Sequence, residues 1–276
     1  PILTFCSYTV VGLSSEMFSD LNNLFAVSKE NHLQGEFVAI SNSKADGSFL
    51  IHHFLSFFLK QNRPVCFVGL SQSYNHYSTV AQKLSCNLNA AKTSGQLVFI
   101  EGMKLLGDAV SGNSLIKGDN SFVCNPAFDL QQFFMYIKST LESLKMNQSQ
   151  DPVLIIDNLS FLLYIGCSIS QLVMFVNYLL QKVTSQCTGS LVLALHSDMI
   201  SVDENSDLLW KNISHLCSIT CQVTGLESGY SKDVHGELLI TWRSRDVKQT
   251  QLKKTQFKLS DKNVTFFASG MSSAVL

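Results

Sequence analysis

Short apolar runs alternate with segments of helical periodicity up to residue 196, and this alternation constrains the fold more than any other feature. The runs are Glu36–Ser41, Pro64–Leu70, Gln96–Glu101, Pro152–Asp157 and Ser190–His196. Nearly continuous apolar runs of this length are typical of parallel strands that are buried on both faces. The segments with helical spacing are Gly47–Lys60, Tyr74–Leu84, Phe128–Leu144 and Ser170–Val183. This order predicts an α/β fold with a mostly parallel, doubly wound sheet flanked by helices.

The pattern changes after about Asn212, where strand-like segments follow one another without helices between them. These segments are Ser218–Val223, Glu237–Arg243, Gln256–Leu259 and Asn263–Ala268. We therefore expect antiparallel strands at the C-terminal end of the sheet. The stretch Ser206–Trp210 follows two acidic residues, and we interpret it as an exposed loop after a core strand.

The sequence SNSKADGSFL, residues 41–50, joins the first apolar run to the first helical segment. A strand, a short turn and a helix are the setting of the phosphate-binding loop G-x-x-x-x-G-K-[ST]. In that frame Asn42 replaces the first glycine, and Gly47 keeps the second. Ser48 stands at the lysine position, and Phe49 replaces the hydroxyl residue that holds magnesium. The motif is degenerate, so we favour a plain turn with Asp46 or Ser48 near the helix cap, and weak anion binding stays open.

Two later strands end in polar residues that a nucleotide site could use. Asp157 follows the run VLII and resembles the acid that positions magnesium in phosphate-loop ATPases. His196 ends the next strand, where a polar side chain could sense a γ-phosphate. We favour a turn or capping role for Asp157 and a surface position for His196. The sequence has no recognisable catalytic motif, so we predict no catalytic residue, no metal site and no cofactor.

The formal net charge is −1, so no global basic excess indicates nucleic-acid binding. Basic residues do gather near the C-terminus, at Arg243, Arg245, Lys248, Lys253, Lys254 and Lys258. They form either a solvated face or a contact to phosphates of a nucleotide or RNA. Within this group we single out Arg243, Arg245, Lys253 and Lys254 as candidate contacts to RNA or to another subunit.

The eight cysteines are dispersed and form no Cys-x-x-Cys pair, which favours reduced thiols in a cytoplasmic or nuclear protein. No apolar run is long enough to span a membrane. Residues 1–16 lack the basic and apolar regions of a signal peptide, and Met17 opens a better helical segment. We expect residues 1–16 to be a disordered, non-native or upstream extension, and residues 17–276 to form a single domain.

Several segments together resemble the family of Elongator complex subunit six. They are KADGSFLIHHFLSFFLK, VCFVGLSQSYNHYSTVAQKL, GQLVFIEGMK, VLIIDNLSFLL, DVHGELLITWR and NVTFFASGMSSAVL. No single motif is diagnostic, but their combined order and spacing are specific. The resemblance runs from about Met17 to Leu276. Residues 1–16 depart from this family, whose chains begin near Met17.

The resemblance implies a RecA-like ATPase fold without working nucleotide-binding motifs. It also implies a ring of six chains, with two copies each of this subunit and of Elongator subunits four and five. In that family the ring joins the larger complex and binds tRNA, and the complex carries out a carboxymethyl-type modification of the wobble uridine. The chemistry belongs to the third subunit, so the resemblance implies a scaffold without activity of its own. A divergent ATPase using Asp157 and an independent nucleic-acid-binding module are the competing hypotheses.

Overall fold

The computed structural model describes most of the chain. The described residues are 19–25, 33–104, 129–196, 204–227, 229, 231–243, 250–260 and 263–268. The predicted extension at residues 1–16 lies outside them. Among the described residues, no helix combines the length and apolar character needed to cross a bilayer.

Nine strands form one sheet. They are β1 (Phe37–Ser43), β2 (Val65–Gly69), β3 (Leu97–Glu101), β4 (Val153–Ile156), β5 (Ser190–His196), β6 (Ile219–Thr224), β7 (Gly236–Arg243), β8 (Thr250–Leu259) and β9 (Val264–Phe267). Their order across the sheet is β3-β2-β4-β5-β1-β6-β7-β8-β9. The first six in this order run parallel, and β6 to β9 pair antiparallel. Both parts of the predicted sheet are therefore confirmed.

Helices cover both faces of the parallel part. They are α1 (Ser19–Leu24), α2 (Ser48–Lys60), α3 (Tyr74–Lys83), α4 (Leu88–Thr93), α5 (Leu130–Asn147), α6 (Phe161–Tyr164), α7 (Ile169–Leu180) and α8 (Glu204–Ser214). A π-helical turn, Gln181–Gln186, continues α7. Polar side chains begin several of these helices. Asp129 accepts from two backbone N–H groups at the start of α5, and Ser168 and Gln171 form a capping box at α7.

The strand residues divide between two cores because successive side chains point to opposite faces. Val38 and Ile40 of β1 pack with α1 to α4 and with the antiparallel strands, whereas Phe37 and Ala39 pack with α5, α7 and α8. Helix α2 lies in the first core, and most of its residues are buried. Its almost uniformly apolar sequence is thereby explained, since a helix that is buried on nearly every side needs no polar face.

The interpretation of Ser206–Trp210 as an exposed loop is wrong. These residues belong to α8, and Ser206, Leu209, Trp210 and Ile213 are buried on one side of it. The acidic residues at its beginning favour a helix N-terminus, because negative charge there is stabilised by the helix dipole. Strand β8 also begins earlier than predicted, at Thr250, and the short helix α4 was not predicted.

Candidate functional site

The loop between β1 and α2 lies at the carboxyl end of β1, in the middle of the sheet. At this end Asn42 is paired with His196 of β5 on one side and with Val223 of β6 on the other. Lys44 is exposed, with a left-handed backbone at φ +56°. Gly225 lies against it, since a Cβ there would be 2.7 Å from the Lys44 carbonyl oxygen. The loop is thus held closely against the segment that follows β6.

Asn42 and Gly47, the two ends of the degenerate motif, are in contact. A Cβ on Gly47 would lie 2.1 Å from Oδ1 of Asn42. That oxygen is buried and accepts no hydrogen bond from the residues that the structure describes. A phosphate-binding loop needs open space between its ends so that backbone N–H groups can surround the phosphate. Here the Asn42 amide occupies space beside Gly47, so the loop is filled by its own side chain.

A carboxylate from the same loop accepts a hydrogen bond from a backbone N–H group at the beginning of α2. The backbone N–H of Ser48 donates to Oδ1 of Asp46 at 2.8 Å. The carboxylate places negative charge at the positive end of the helix dipole. A phosphate at the same place would meet like charge and would lose this N–H donor. The expectation that Asp46 lies near the cap is confirmed.

Phe49 is a core residue. Its ring is buried, with its centroid 5.1 Å from that of Phe257 in β8 and 6.4 Å from that of Phe266 in β9. The position that supplies a metal-binding hydroxyl in a working motif therefore carries a side chain that joins α2 to the antiparallel strands.

Asp157, at the end of β4, is buried and binds the segment after β2. Its Oδ1 accepts from the backbone N–H of Leu70 at 2.6 Å and of Ser71 at 3.1 Å. Its Oδ2 accepts from Ser71 at 3.1 Å, from Gln72 at 3.3 Å and from the Tyr77 hydroxyl at 2.9 Å. Both carboxylate oxygens are thus used by donors of the chain itself. Burial raises the pKa of the Asp157 carboxyl, although the four donors oppose that shift.

These bonds give Asp157 a structural role that its sequence position alone does not reveal. A carboxylate that positions magnesium must present an oxygen to the ion or to its water shell. Within the described part of the chain, no group of three or more His, Cys, Asp and Glu side chains is arranged to hold a metal.

His196 is half-buried at the end of β5, and its backbone is bound to Ser160. Its N–H donates to the Ser160 hydroxyl at 3.0 Å, and that hydroxyl donates to the His196 carbonyl at 3.2 Å. This reciprocal pair joins the end of β5 to the beginning of α6.

The described basic candidates differ in their contacts. The Arg243 guanidinium donates to the carbonyl of Ser214, the last residue of α8, where a cation complements the helix dipole. On β8, Lys254 forms an ion pair with Glu237 at 2.7 Å, and its neighbour Lys253 is exposed. Arg245 lies outside the described residues. The roles of these residues in RNA or subunit contact stay predictions.

Comparison with known proteins identifies the family. A family model described as Elongation complex protein 6 matches residues 18–261. The chain belongs to the Elongator complex protein 6 family. Among its relatives, the Elongator complex protein 6 of Mus musculus is 40% identical and that of Homo sapiens 38% identical. Each alignment covers 94% of this chain and the whole of the relative.

Solved structures confirm the RecA-like fold for this member of the Elongator complex protein 6 family. A KaiC-like protein from Pyrococcus horikoshii aligns with a TM-score of 0.54 at 12% identity, over 85% of this chain and 90% of that chain. An uncharacterized protein from the same organism, solved with an unknown peptide, aligns with a TM-score of 0.61 at 8% identity. That alignment covers 91% of this chain and 97% of the other.

Sequence reasoning missed a group of rings beside the loop of this Elongator protein. His52 of α2 is buried, and its ring lies 5.1 Å from that of Tyr77 and 5.6 Å from that of His76. Burial lowers the pKa of His52 to about 4, helped by His76 and opposed by Asp46. The signal was available, because two adjacent histidines interrupt an otherwise apolar helix.

The neutral His52 predicts a loss of stability in acid. Its folded-state pKa of about 4 lies below the ordinary value of 6.5, so the unfolded chain binds the proton first as the pH falls. The contribution is complete above pH 6.5 and should fall by about 1.4 kcal/mol per pH unit between pH 6.5 and about 4. Urea unfolding from pH 7 to 5 should therefore show a steeper decline for the wild type than for His52→Phe, whose ring does not titrate. Parallel curves would contradict this assignment.

The contact between Asn42 and Gly47 gives a second prediction. Gly47→Ala should destabilise the protein by about 1–3 kcal/mol, because the new methyl group meets Asn42. The backbone is not the obstacle, since the φ of Gly47 is −96°. Adding Asn42→Ala should recover most of the loss in a double-mutant cycle followed by urea unfolding. Strictly additive effects of the two substitutions would show that this contact is absent.

Proposed function

We propose that this chain is a non-catalytic subunit of the Elongator complex. It forms a ring of six chains with Elongator subunits four and five and joins the remaining subunits. The ring binds tRNA in the cytoplasm, with a nuclear pool as well. It supports carboxymethyl-type modification of the wobble uridine, and the third subunit supplies the chemistry. Membership of the Elongator complex protein 6 family and the RecA-like fold support this proposal.

The non-catalytic part of the proposal rests on Asp157, whose carboxylate is already bound by donors of the chain itself. Its carboxylate accepts from three backbone N–H groups and one hydroxyl. The degenerate loop supports the same conclusion, because Phe49 is packed in the core and Asp46 satisfies Ser48. An ATPase needs groups that hold the triphosphate and its metal, and these residues serve the fold instead.

The outer surface of α5 and α7 supports a role in assembly. Met135, Met174 and Tyr178 are each more than half exposed, and they line a groove of about 560 Å³ between the two helices. Exposed apolar side chains that are grouped in this way favour contact with another protein. We include this groove among the surfaces that meet neighbouring subunits.

Assembly is tested by purifying the chain together with Elongator subunits four and five and measuring the mass by light scattering. The proposal predicts the mass of six chains, and a monomer that ignores both subunits would contradict it. Met174→Glu should weaken assembly, because it places a charge in the groove. Met146→Glu is the matched control, since Met146 is exposed on α5 but does not line the groove.

The tRNA part is tested separately, with Arg243, Arg245, Lys253 and Lys254 as the proposed contacts. The affinity of the assembled ring for tRNA should fall with salt, and Lys253→Ala with Lys254→Ala should reduce the slope. Lys83→Ala, an exposed substitution on α3, is the control. Equal affinity for tRNA in the isolated chain and in the ring would favour an independent nucleic-acid-binding module.

A further inference from the structure

A polar pocket opens at the end of the parallel strands that is opposite to the degenerate loop. It lies near the amino ends of β1, β2 and β4 and has a volume of about 480 Å³. The residues that line it are Gln34, Gln61, Arg63, Ser149, Gln150 and Asp151. None of them belongs to the site described above, and the proposed function does not use them.

Arg63 is the buried charge of this pocket, and only 4% of it is exposed. Its Nε donates to the carbonyl oxygen of Asp151 at 3.2 Å, and its Nη2 donates to Oγ of Ser190 at 3.0 Å. The guanidinium carbon lies 5.0 Å from the centre of the Phe58 ring. The remaining nitrogen, Nη1, is buried without a hydrogen-bond partner in the described structure.

The carboxylate of Asp151, the acid in this pocket, does not accept a hydrogen bond from the Arg63 guanidinium. Burial lowers the pKa of Arg63 to about 10, and Asp151 opposes that shift, so the side chain is charged at neutral pH. The Asp151 carboxylate, however, accepts from Nε2 of Gln34 at 2.7 Å and from Oγ1 of Thr188 at 2.5 Å. Asp151 therefore binds Arg63 only through its backbone carbonyl. Arg63, a buried cation whose Nη1 has no hydrogen-bond partner in the described structure, is thus one of the residues that line an open polar pocket.

We propose that this pocket binds a carboxylate group, which accepts a hydrogen bond from the guanidinium of Arg63. Guanidinium groups suit planar oxyanions, and the amide side chains of Gln34 and Gln150 provide further N–H donors at the rim. A phosphate dianion fits less well, because the carboxylate of Asp151 lies in the same pocket. The carboxylate comes either from a small organic acid or from an acidic side chain of another protein chain.

The test follows the Arg63 guanidinium by nuclear magnetic resonance in the full-length chain with ¹⁵N-labelled arginine. Sodium acetate is the first probe and the blocked peptide acetyl-Gly-Glu-Gly-amide is the second, each against sodium chloride at equal ionic strength. Saturable shifts of the Arg63 signals with either probe, and none with chloride, support the proposal. Saturation by acetate alone indicates a small acid, and saturation by the peptide indicates a protein side chain. Shifts with neither probe would overturn it.

Two variants test whether acetate or the peptide binds in this pocket. Arg63→Lys should abolish the protection that acetate or the peptide gives against thermal unfolding. If Arg63→Lys does not fold, the exposed Gln150→Glu serves, because the added charge at the rim should weaken binding roughly three- to tenfold. The matched control Gln82→Glu makes the same change on the exposed side of α3 and should leave binding unchanged. Equal binding in Gln150→Glu and Gln82→Glu would place the carboxylate elsewhere and refute the proposal.

Discussion

Replacing Asp157 by alanine is expected to lower the free energy of unfolding by about 3–5 kcal/mol. The substitution leaves the backbone N–H groups of Leu70, Ser71 and Gln72 without their acceptor. It also removes the acceptor of the buried Tyr77 hydroxyl. The donors of Leu70 and Tyr77 are buried, so without Asp157 they lose their hydration on folding and gain nothing in return, whereas Ser71 and Gln72 are exposed residues.

Asp157→Asn separates the loss of hydrogen bonds from the loss of volume. Asparagine keeps one acceptor oxygen, but its NH₂ group would face N–H and O–H donors, so we expect a loss of about 2 kcal/mol. Asp129→Asn is the matched control, because the half-buried cap at the start of α5 accepts either residue at little cost. Urea unfolding of the three proteins measures the difference. Equal stability of Asp157→Asn and the wild type would show that the carboxylate is not a structural group.

Replacing Phe49 by alanine is expected to cost about 3–5 kcal/mol, the range for a buried phenylalanine. The ring contacts Phe257 and Phe266, so its loss should loosen the antiparallel strands from α2. A double-mutant cycle of Phe49→Leu with Phe257→Leu should give a coupling of about 0.5–1.5 kcal/mol. Zero coupling would contradict the packing of these two rings.

Phe49 also bears on whether a phosphate-binding motif can be restored in this loop. Ser48→Lys combined with Phe49→Thr recreates the last two residues of a phosphate-binding loop. We expect a destabilised protein without ATPase activity, because Asp157 remains bound to the segment after β2. Measurable ATP turnover in this double variant would contradict the structural role assigned to both residues.

The parallel sheet could be predicted because its strands are nearly continuous apolar runs, such as Val153–Ile156, and short runs of this kind are typical of strands buried on both faces. Helix α8 was not predicted although Leu209 and Ile213 have helical spacing, because the acidic residues before them are also typical of an exposed loop. The start of β8 at Thr250 was missed because its first five residues are exposed and show no apolar alternation.

The candidate site was less predictable because its contacts join distant parts of the chain. The four donors to Asp157 precede it by 80 to 87 residues, and nothing in the nearby sequence shows that an aspartate at the end of a strand already accepts hydrogen bonds. The loss of the motif at Ser48 and Phe49 was visible in the sequence, because their side chains lack the required groups. The contact of Asn42 with Gly47 was not, since it depends on a loop conformation that includes the left-handed Lys44.

Equilibrium binding of MgATP to the purified full-length chain tests most directly the claim that the RecA-like fold has kept its shape and lost its nucleotide site. We predict no saturable binding at millimolar MgATP, because the Asn42 amide lies against Gly47, Asp46 binds the N–H of Ser48, and Phe49 is packed in the core. A structurally intact chain that binds MgATP saturably, and loses that binding in Gly47→Ala, would contradict the account.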